Sequence, residues 1–241
     1  MYVLITGQDL SSDHASCSRY LSPGVIETAN TFDSPRKKNF LNKRLLMSVF
    51  LHSQGLLGEP LDVISGKDRC PKFMNTDCSG SLSDSAEFSA CAIAATPVGI
   101  DIEKVKARNR MQEIMERLFS AGEIDYVNGS DDPTLAFTRL WTVREAALKV
   151  VGCGIAGLHK ISVDMGERVI LMEQSLDPGG VLSGDYRMFS VLATRDGAAV
   201  CISYCTDETE RLLMSYEGTA FVPLDGCSGE MEFRLLGRAD Q

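Results

Sequence analysis

Thr96-Pro-Val-Gly-Ile-Asp-Ile-Glu-Lys104 is the stretch on which the reading of the fold turns. Val98, Ile100 and Ile102 alternate with Gly99, Asp101 and Glu103, so a period of two predicts a strand with both acids on one face, roughly 7 Å apart. Glu87 to Ala95 is a second strand-like run, and with Thr96-Pro97 between them the two read as a β-hairpin. About forty residues further on comes Trp141-Thr-Val-Arg-Glu-Ala-Ala-Leu-Lys149. There Leu140, Val143, Ala147, Leu148, Val150 and Val151 recur at helical spacing, and Glu145 and Lys149 stand one turn apart on a neighbouring face. An Asp-x-Glu strand end alone also reads as a solvated edge, and a Glu/Lys pair alone as a surface ion pair. Together they compose a hard-cation site, because Mg²⁺ takes oxygen ligands and is shared between carboxylates and substrate phosphates. Asp101, Glu103 and Glu145 are the candidate ligands.

Outward from this pair, residues 2–7 read as a strand and 35–54 as a helix, with Phe40, Leu41, Leu45, Val49 and Leu56 facing a core. Residues 58–81, with Gly58, Pro60, Gly66, Pro71 and Gly80, read as loop. Helices are expected at 111–119, 121–128 and 134–151, the second opened by a Ser120/Glu123 capping box and the third closed at Gly152-Cys-Gly154. Strands follow at 159–165, 168–173, 186–194 and 198–205, with Asp196-Gly197 as a hairpin turn. The expectation is α+β: an N-terminal half over 1–103 and a C-terminal half over 104–241, each an antiparallel sheet packed with helices. From about Thr206 the apolar residues lose their period, and the segment reads as an irregular tail or a packed extension.

A chain of 241 residues with 44% hydrophobic content carries enough apolar side chain for one large core or two smaller ones. No run is long and apolar enough for a membrane span, and residues 1–13 lack the pattern of a secretory leader. Eight cysteines occur without a Cys-x-x-Cys and far from the three histidines, which argues against zinc and for reduced thiols in a cytoplasmic protein. With 24 basic against 33 acidic residues, general nucleic-acid binding is not expected. Yet no acid occurs between Asp33 and Glu59, where Arg36, Lys37, Lys38, Lys43 and Arg44 cluster, a basic island that invites a small anion or forms a solvated helix face.

These motifs resemble the 4'-phosphopantetheinyl transferases of the larger Sfp-type class. Gly99-Ile-Asp-Ile-Glu103 is similar to the family's Gly-Ile-Asp-x-Glu, Trp141 to Lys149 to its Trp/Phe-x-x-Lys-Glu-Ala-x-x-Lys, and Leu118-Phe-Ser-Ala-Gly-Glu123 to its Phe-Phe-Ser-x-x-Glu. Arg36-Lys-Lys-Asn-Phe-Leu-Asn-Lys-Arg44, Arg69-Cys-Pro71 and Gly80-Ser-Leu-Ser83 resemble the enterobactin-type subgroup. The likeness covers about residues 34 to 165.

The resemblance implies two pseudo-symmetric α+β halves with coenzyme A between them, and transfer of its phosphopantetheine arm to a serine of an apo acyl, peptidyl or aryl carrier protein, releasing 3',5'-ADP. It assigns Asp101, Glu103 and Glu145 to Mg²⁺, Glu145 also to general base, and Lys149 to the pyrophosphate. Arg36, Lys37, Arg44, Lys67, Arg69, Ser83 and Asp84 fall in the coenzyme A positions, and a monomer is favoured. Asp84 stands where the family has a phosphate-facing histidine, and Arg144 where it has lysine. Alternatives are a coenzyme A or carrier-binding module without turnover, and a Mg²⁺-dependent phosphate hydrolase on another scaffold.

Overall fold

The computed structural model describes residues 1–65 and 71–238. In chain order it runs β1 (Tyr2–Thr6), α1 (His14–Tyr20), α2 (Pro23–Ala29), α3 (Ser34–Ser53), β2 (Val63–Ser65), β3 (Pro71–Phe73), β4 (Ser79–Ser85) and β5 (Phe88–Ala94). Next come β6 (Gly99–Lys104), α4 (Met111–Leu118), α5 (Ala121–Asn128), α6 (Pro133–Val150), β7 (Ile161–Asp164), β8 (Val169–Glu173), β9 (Arg187–Arg195) and β10 (Ala198–Thr206). Then follow β11 (Leu212–Glu217), β12 (Ala220–Pro223) and β13 (Ser228–Arg238). The architecture is α+β, divided into two compact units. One holds Met1–Val98 and Glu208–Leu224, the other Gly99–Asp207 and Asp225–Gln241.

In the first unit a sheet of order β12-β11-β1-β5-β4 carries α3 on one face. The N-cap Asp33 accepts a hydrogen bond from Arg36 N at 3.2 Å, and Pro35 lies in the first turn, where a missing N–H costs nothing. Leu41, Leu45, Leu46, Phe50 and Leu51 of α3 are buried against Leu4, Cys91 and Ile93 of the sheet. Truncating one such leucine to alanine costs about 2–5 kcal/mol.

The second unit places α6 on a six-stranded sheet of order β6-β10-β9-β13-β8-β7. Asp132 caps the helix by accepting from Leu135 N at 3.0 Å, and Gly152, in the left-handed conformation at φ 76°, follows its end. Phe137, Leu140, Val143 and Ala147 of α6 are buried with Met188, Cys205 and Phe233 of the sheet. The β9–β10 hairpin turns at Asp196 and Gly197, both with positive φ, as an Asp-Gly type I′ turn requires.

Three expectations change. The strand of Glu87 to Ala95 does not pair with that of Val98 to Glu103: β5 is bonded along both edges, to β1 and β4, and has no edge left for β6, which pairs with β10. The actual hairpin is β4–β5, turning at Ala86 with φ 53°. The sheets are mixed: β1 pairs parallel to β11 and β8 parallel to β13, because strands from the far end of the chain are inserted beside early ones. After Thr206 the chain forms β11, β12 and β13, so of the two readings of this segment the packed extension is the one observed. The expected division after residue 103 differs from the observed one, since Asp101 and Glu103 lie in the second unit and 208–224 return to the first.

Two short helices, α1 and α2, and the β2–β3 ribbon were not expected either. Asp13 and Ser22 cap those helices, and Pro23 opens the second, so their start signals are legible even though their apolar period is too short to register.

Candidate functional site

Gly99 decides how closely α6 can lie on β6. A Cβ at Gly99 would sit 2.0 Å from the Ala146 carbonyl oxygen and 2.9 Å from Val150 N, so only glycine lets helix and strand backbones approach this far. Asp101 and Glu103 share the strand face of Gly99 and therefore turn toward the same helix. The sequence showed the glycine in the motif but gave no sign of this contact.

The acids and the lysine of the two motifs do come together. Lys149 Nζ donates to Asp101 Oδ1 at 2.7 Å and to the Ile100 carbonyl at 2.9 Å. Asp101 is only 4% exposed, so the ion pair is largely sheltered from solvent screening. Glu103 is paired with Arg108 at 2.9 Å, and the Arg108 guanidinium also lies over the rings of Phe137 and Trp141. Glu145, half-buried between these pairs, has its carboxyl pushed up to about 7. Burial is the main cause, followed by the negative charge of Asp101; Glu103 adds to the rise, and Lys149 and Arg108 oppose it.

Among the described residues, no group of three or more His, Cys, Asp or Glu side chains stands ready to hold a metal ion. The expected ligands Asp101 and Glu103 are instead neutralised by Lys149 and Arg108. Their chemistry nonetheless suits a hard cation: the donors are carboxylate oxygens whose repulsion raises Glu145, and a cation there would relieve that repulsion.

Arg144, next to Glu145 in sequence, points elsewhere. It is fully buried, its Nη1 donating to Glu123 Oε1 at 2.5 Å and its Nη2 to the carbonyls of Leu118 and Leu158. Glu123 also accepts from Ser120 N in the capping box at 2.7 Å and from Val163 N at 3.2 Å. The pair thus binds α5, α6 and β7 together, a structural duty that three carbonyl and carboxylate partners give to a guanidinium and not to a lysine.

In the first unit, the described residues among those expected for coenzyme A lie on α3 and β4. Arg36 is exposed, with its guanidinium 4.2 Å from the Phe32 ring centroid, and Lys37 donates to Asn30 Oδ1 at 2.7 Å. Arg44 is buried, donating to the Phe40 carbonyl at 2.9 Å and lying 3.5 Å from that ring's centroid. Burial pushes its guanidinium down to about 10, partly opposed by Asp84. Asp84 accepts from Lys43 Nζ and, at 3.0 Å, from Asn39 Nδ2. Ser83 is buried and, by strand alternation, on the opposite face of β4. Lys67 and Arg69 lie outside the described residues.

Beside α4, a groove of about 670 Å³ is lined by Arg110, Arg117, Glu113, Leu118, Trp141 and Ile155, among others, with Arg110 3.9 Å from Glu113. Ile155 is 60% exposed there, so the groove combines open apolar surface with guanidinium charge. No helix among the described residues is long and apolar enough to cross a membrane. The seven described cysteines are free thiols, and burial pushes those of Cys91, Cys201 and Cys205 upward, so they stay protonated.

Residues 97–205, which contain both motifs, match the family model of the 4'-phosphopantetheinyl transferase superfamily. A putative 4'-phosphopantetheinyl transferase of Haemophilus influenzae is 32% identical over 121 residues, covering 48% of this chain and 50% of the relative. The 4'-phosphopantetheinyl transferase Sfp of Bacillus subtilis is 34% identical over 82 residues, 33% of this chain and 36% of its own length. A putative 4'-phosphopantetheinyl transferase of Synechocystis aligns over 210 residues at 23% identity, 81% of this chain and 84% of the relative. The chain thus spans half of the Haemophilus relative's length and about a third of that of Sfp.

Proposed function

We propose that the protein transfers the 4'-phosphopantetheine group of coenzyme A to a serine of an apo carrier protein, releasing 3',5'-ADP. The observation that carries this reading is Glu145, a carboxyl raised to about 7 beside two further acids and a lysine. A carboxylate held there can take the proton of an attacking hydroxyl, as a serine nucleophile requires. The likeness of residues 97–205 to the 4'-phosphopantetheinyl transferase superfamily supports the same chemistry.

In the proposed reaction the carrier serine Oγ attacks the phosphorus that bears the pantetheine arm, and its proton passes to Glu145, directly or through a water. The bond from that phosphorus to the bridging pyrophosphate oxygen breaks, and 3',5'-ADP leaves with the electron pair. Lys149 turns its ammonium from Asp101 toward the charge gathering on the leaving phosphate. Asp101, Glu103 and Glu145 would hold Mg²⁺, which when bound neutralises the pyrophosphate. Arg36, Lys37 and Arg44, with Lys67, Arg69, Ser83 and Asp84, are assigned to the nucleotide end.

The Arg36–Arg44 and Gly80–Ser83 motifs support the enterobactin-type subgroup, acting in the cytoplasm as a monomer. The groove beside α4 suits the acidic surface of a carrier protein, since Arg110 and Arg117 outnumber its one acid, Glu113, and the rest of its lining is largely apolar. Incubation with coenzyme A, Mg²⁺ and apo carrier should raise the carrier's intact mass by one phosphopantetheine. A second reading, a coenzyme A or carrier-binding module without turnover, is favoured by the Asp84–Lys43 contact. Coenzyme A binding with no mass gain would select it.

A further inference from the structure

We propose that Arg108 is the resident counter-ion of the acid cluster, held on Glu103 until a divalent cation binds there, and that its charge sets how tightly this chain holds the cation. The inference rests on the reading above and deepens it, adding a residue outside both motifs that governs occupancy of the same site. Every residue it uses belongs to the second unit.

Phe137, Trp141, Glu145 and Lys149 recur every fourth residue and so form one row along α6. Each end of that row holds a cation against an acid of β6. At one end Lys149 donates to Asp101 and to the Ile100 carbonyl. At the other, Arg108 Cζ lies 5.7 Å from the Phe137 ring centroid and 5.6 Å from that of Trp141, while its Nη2 is 2.9 Å from Glu103 Oε1. The Arg108 charge also reaches Glu145, whose upward shift, caused chiefly by burial, it opposes.

The two cations are held unequally. Lys149 stands on the helix and is gripped by two acceptors, whereas residues 105–108 form neither helix nor strand, and Arg108 Nε is buried with no hydrogen-bond acceptor among the described residues. The side chains of Arg108 and Glu103 stay 23% and 19% exposed, so their pair can open toward solvent without unfolding an element. Arg110, two residues further on, lies beside Glu113 instead. A divalent cation among Asp101, Glu103 and Glu145 meets the Arg108 charge at close range, and their repulsion opposes binding. With both resident cations retained, positive charge would exceed that of the three ionised carboxylates; release of Arg108 removes the excess.

Calorimetric titration of chelator-treated protein with Mg²⁺ alone, in the absence of coenzyme A and carrier, tests this. Arg108→Gln, which keeps a donor for Glu103 but not the charge, and Arg108→Met, which keeps neither, should each tighten Mg²⁺ by about tenfold, as expected when a like charge is removed near a partly exposed site. Arg108→Lys should stay within about threefold of the unaltered protein. Trp141 is the one tryptophan of the chain and reports the movement directly: its emission should shift when Mg²⁺ saturates the unaltered protein, and that shift should fall by more than half in Arg108→Gln. Unchanged or weaker Mg²⁺ affinity in Arg108→Gln, with circular dichroism showing it folded, overturns the proposal, as does weakening in Arg108→Met alone, which would make Arg108 an orienting partner of Glu103. Mg²⁺ binding by no form of the protein overturns the metal assignment and this inference with it, while gain of mass by an apo carrier, measured separately, still tests the transfer reaction.

Discussion

At Glu145 and Arg144, adjacent residues of one helix perform opposite tasks. Arg144 is sealed in, with Glu123 and two carbonyls as partners, and breaking a buried pair leaves a charge without compensation. Arg144→Met should therefore cost about 3–5 kcal/mol in urea unfolding. Arg144→Lys, which keeps the charge but cannot reach all three acceptors together, should cost about 1–3 kcal/mol. Glu145 carries a different signature. Its folded carboxyl titrates at about 7 against an ordinary value of 4.5, so the folded state holds its proton more tightly than the unfolded one. Below about pH 4.5 both states are protonated and nothing is lost; as pH rises toward 7 the unfolded state releases its proton first, and stability falls. In chelator-treated protein, Glu145→Gln should raise the thermal midpoint at pH 8 and leave it unchanged at pH 4. At pH 8 the same substitution should abolish transfer to a carrier, read as carrier mass.

The elements owe their positions to a few contacts that sequence periodicity does not encode. α6 was readable from its apolar spacing, Asp132 cap and terminal glycine, and α5 from its capping box. What the periodicity could not reveal is that α6 is enclosed on nearly every side, with Thr138, Arg139, Thr142 and Arg144 buried along with its apolar residues. Nor does it reveal the close approach at Gly99. Gly99→Ala should destabilise the second unit by about 3 kcal/mol, since the clash is with helix backbone, which cannot rotate away as a side chain could. The same change should weaken the Lys149–Asp101 contact by pushing helix from strand, which a loss of transfer activity beyond the loss of folded protein would register. β13 was missed although Met231, Phe233 and Leu235 alternate in it; an alternation confined to one buried face is a weak signal after a segment rich in Gly and Asp.

Across the whole molecule, both units are built from discontinuous chain. β11 lies parallel along β1 through the pairs Tyr2–Leu212 to Ile5–Ser215, and β13 lies between β9 and β8 in the second sheet. Ending the chain after Asp207 would bare one edge of β1 in the first unit and remove an interior strand from the second. We expect that truncation to give aggregated protein in size-exclusion chromatography, because β1, β8 and β9 would each then offer an unpaired backbone edge. Sequence reading placed Asp101 and Glu103 with the first half for a related reason: it gave their strand to the nearest neighbour in the chain. The actual partner of β6, β10, is about a hundred residues away.

The sequence by itself determined the α+β class, the long helices and their caps, the β9–β10 turn, and the order and spacing of Asp101, Glu103, Glu145 and Lys149. These are local properties, fixed by φ/ψ preference and by the period with which one face is made apolar. Only the tertiary structure decided which strand edges pair, that Lys149 and Arg108 neutralise the acids, that Arg144 is a buried tie, and that Asp84 sits against Lys43. A periodic pattern says that a face is buried but not against what, and a charge finds its counter-ion only when folding brings distant segments within hydrogen-bond reach.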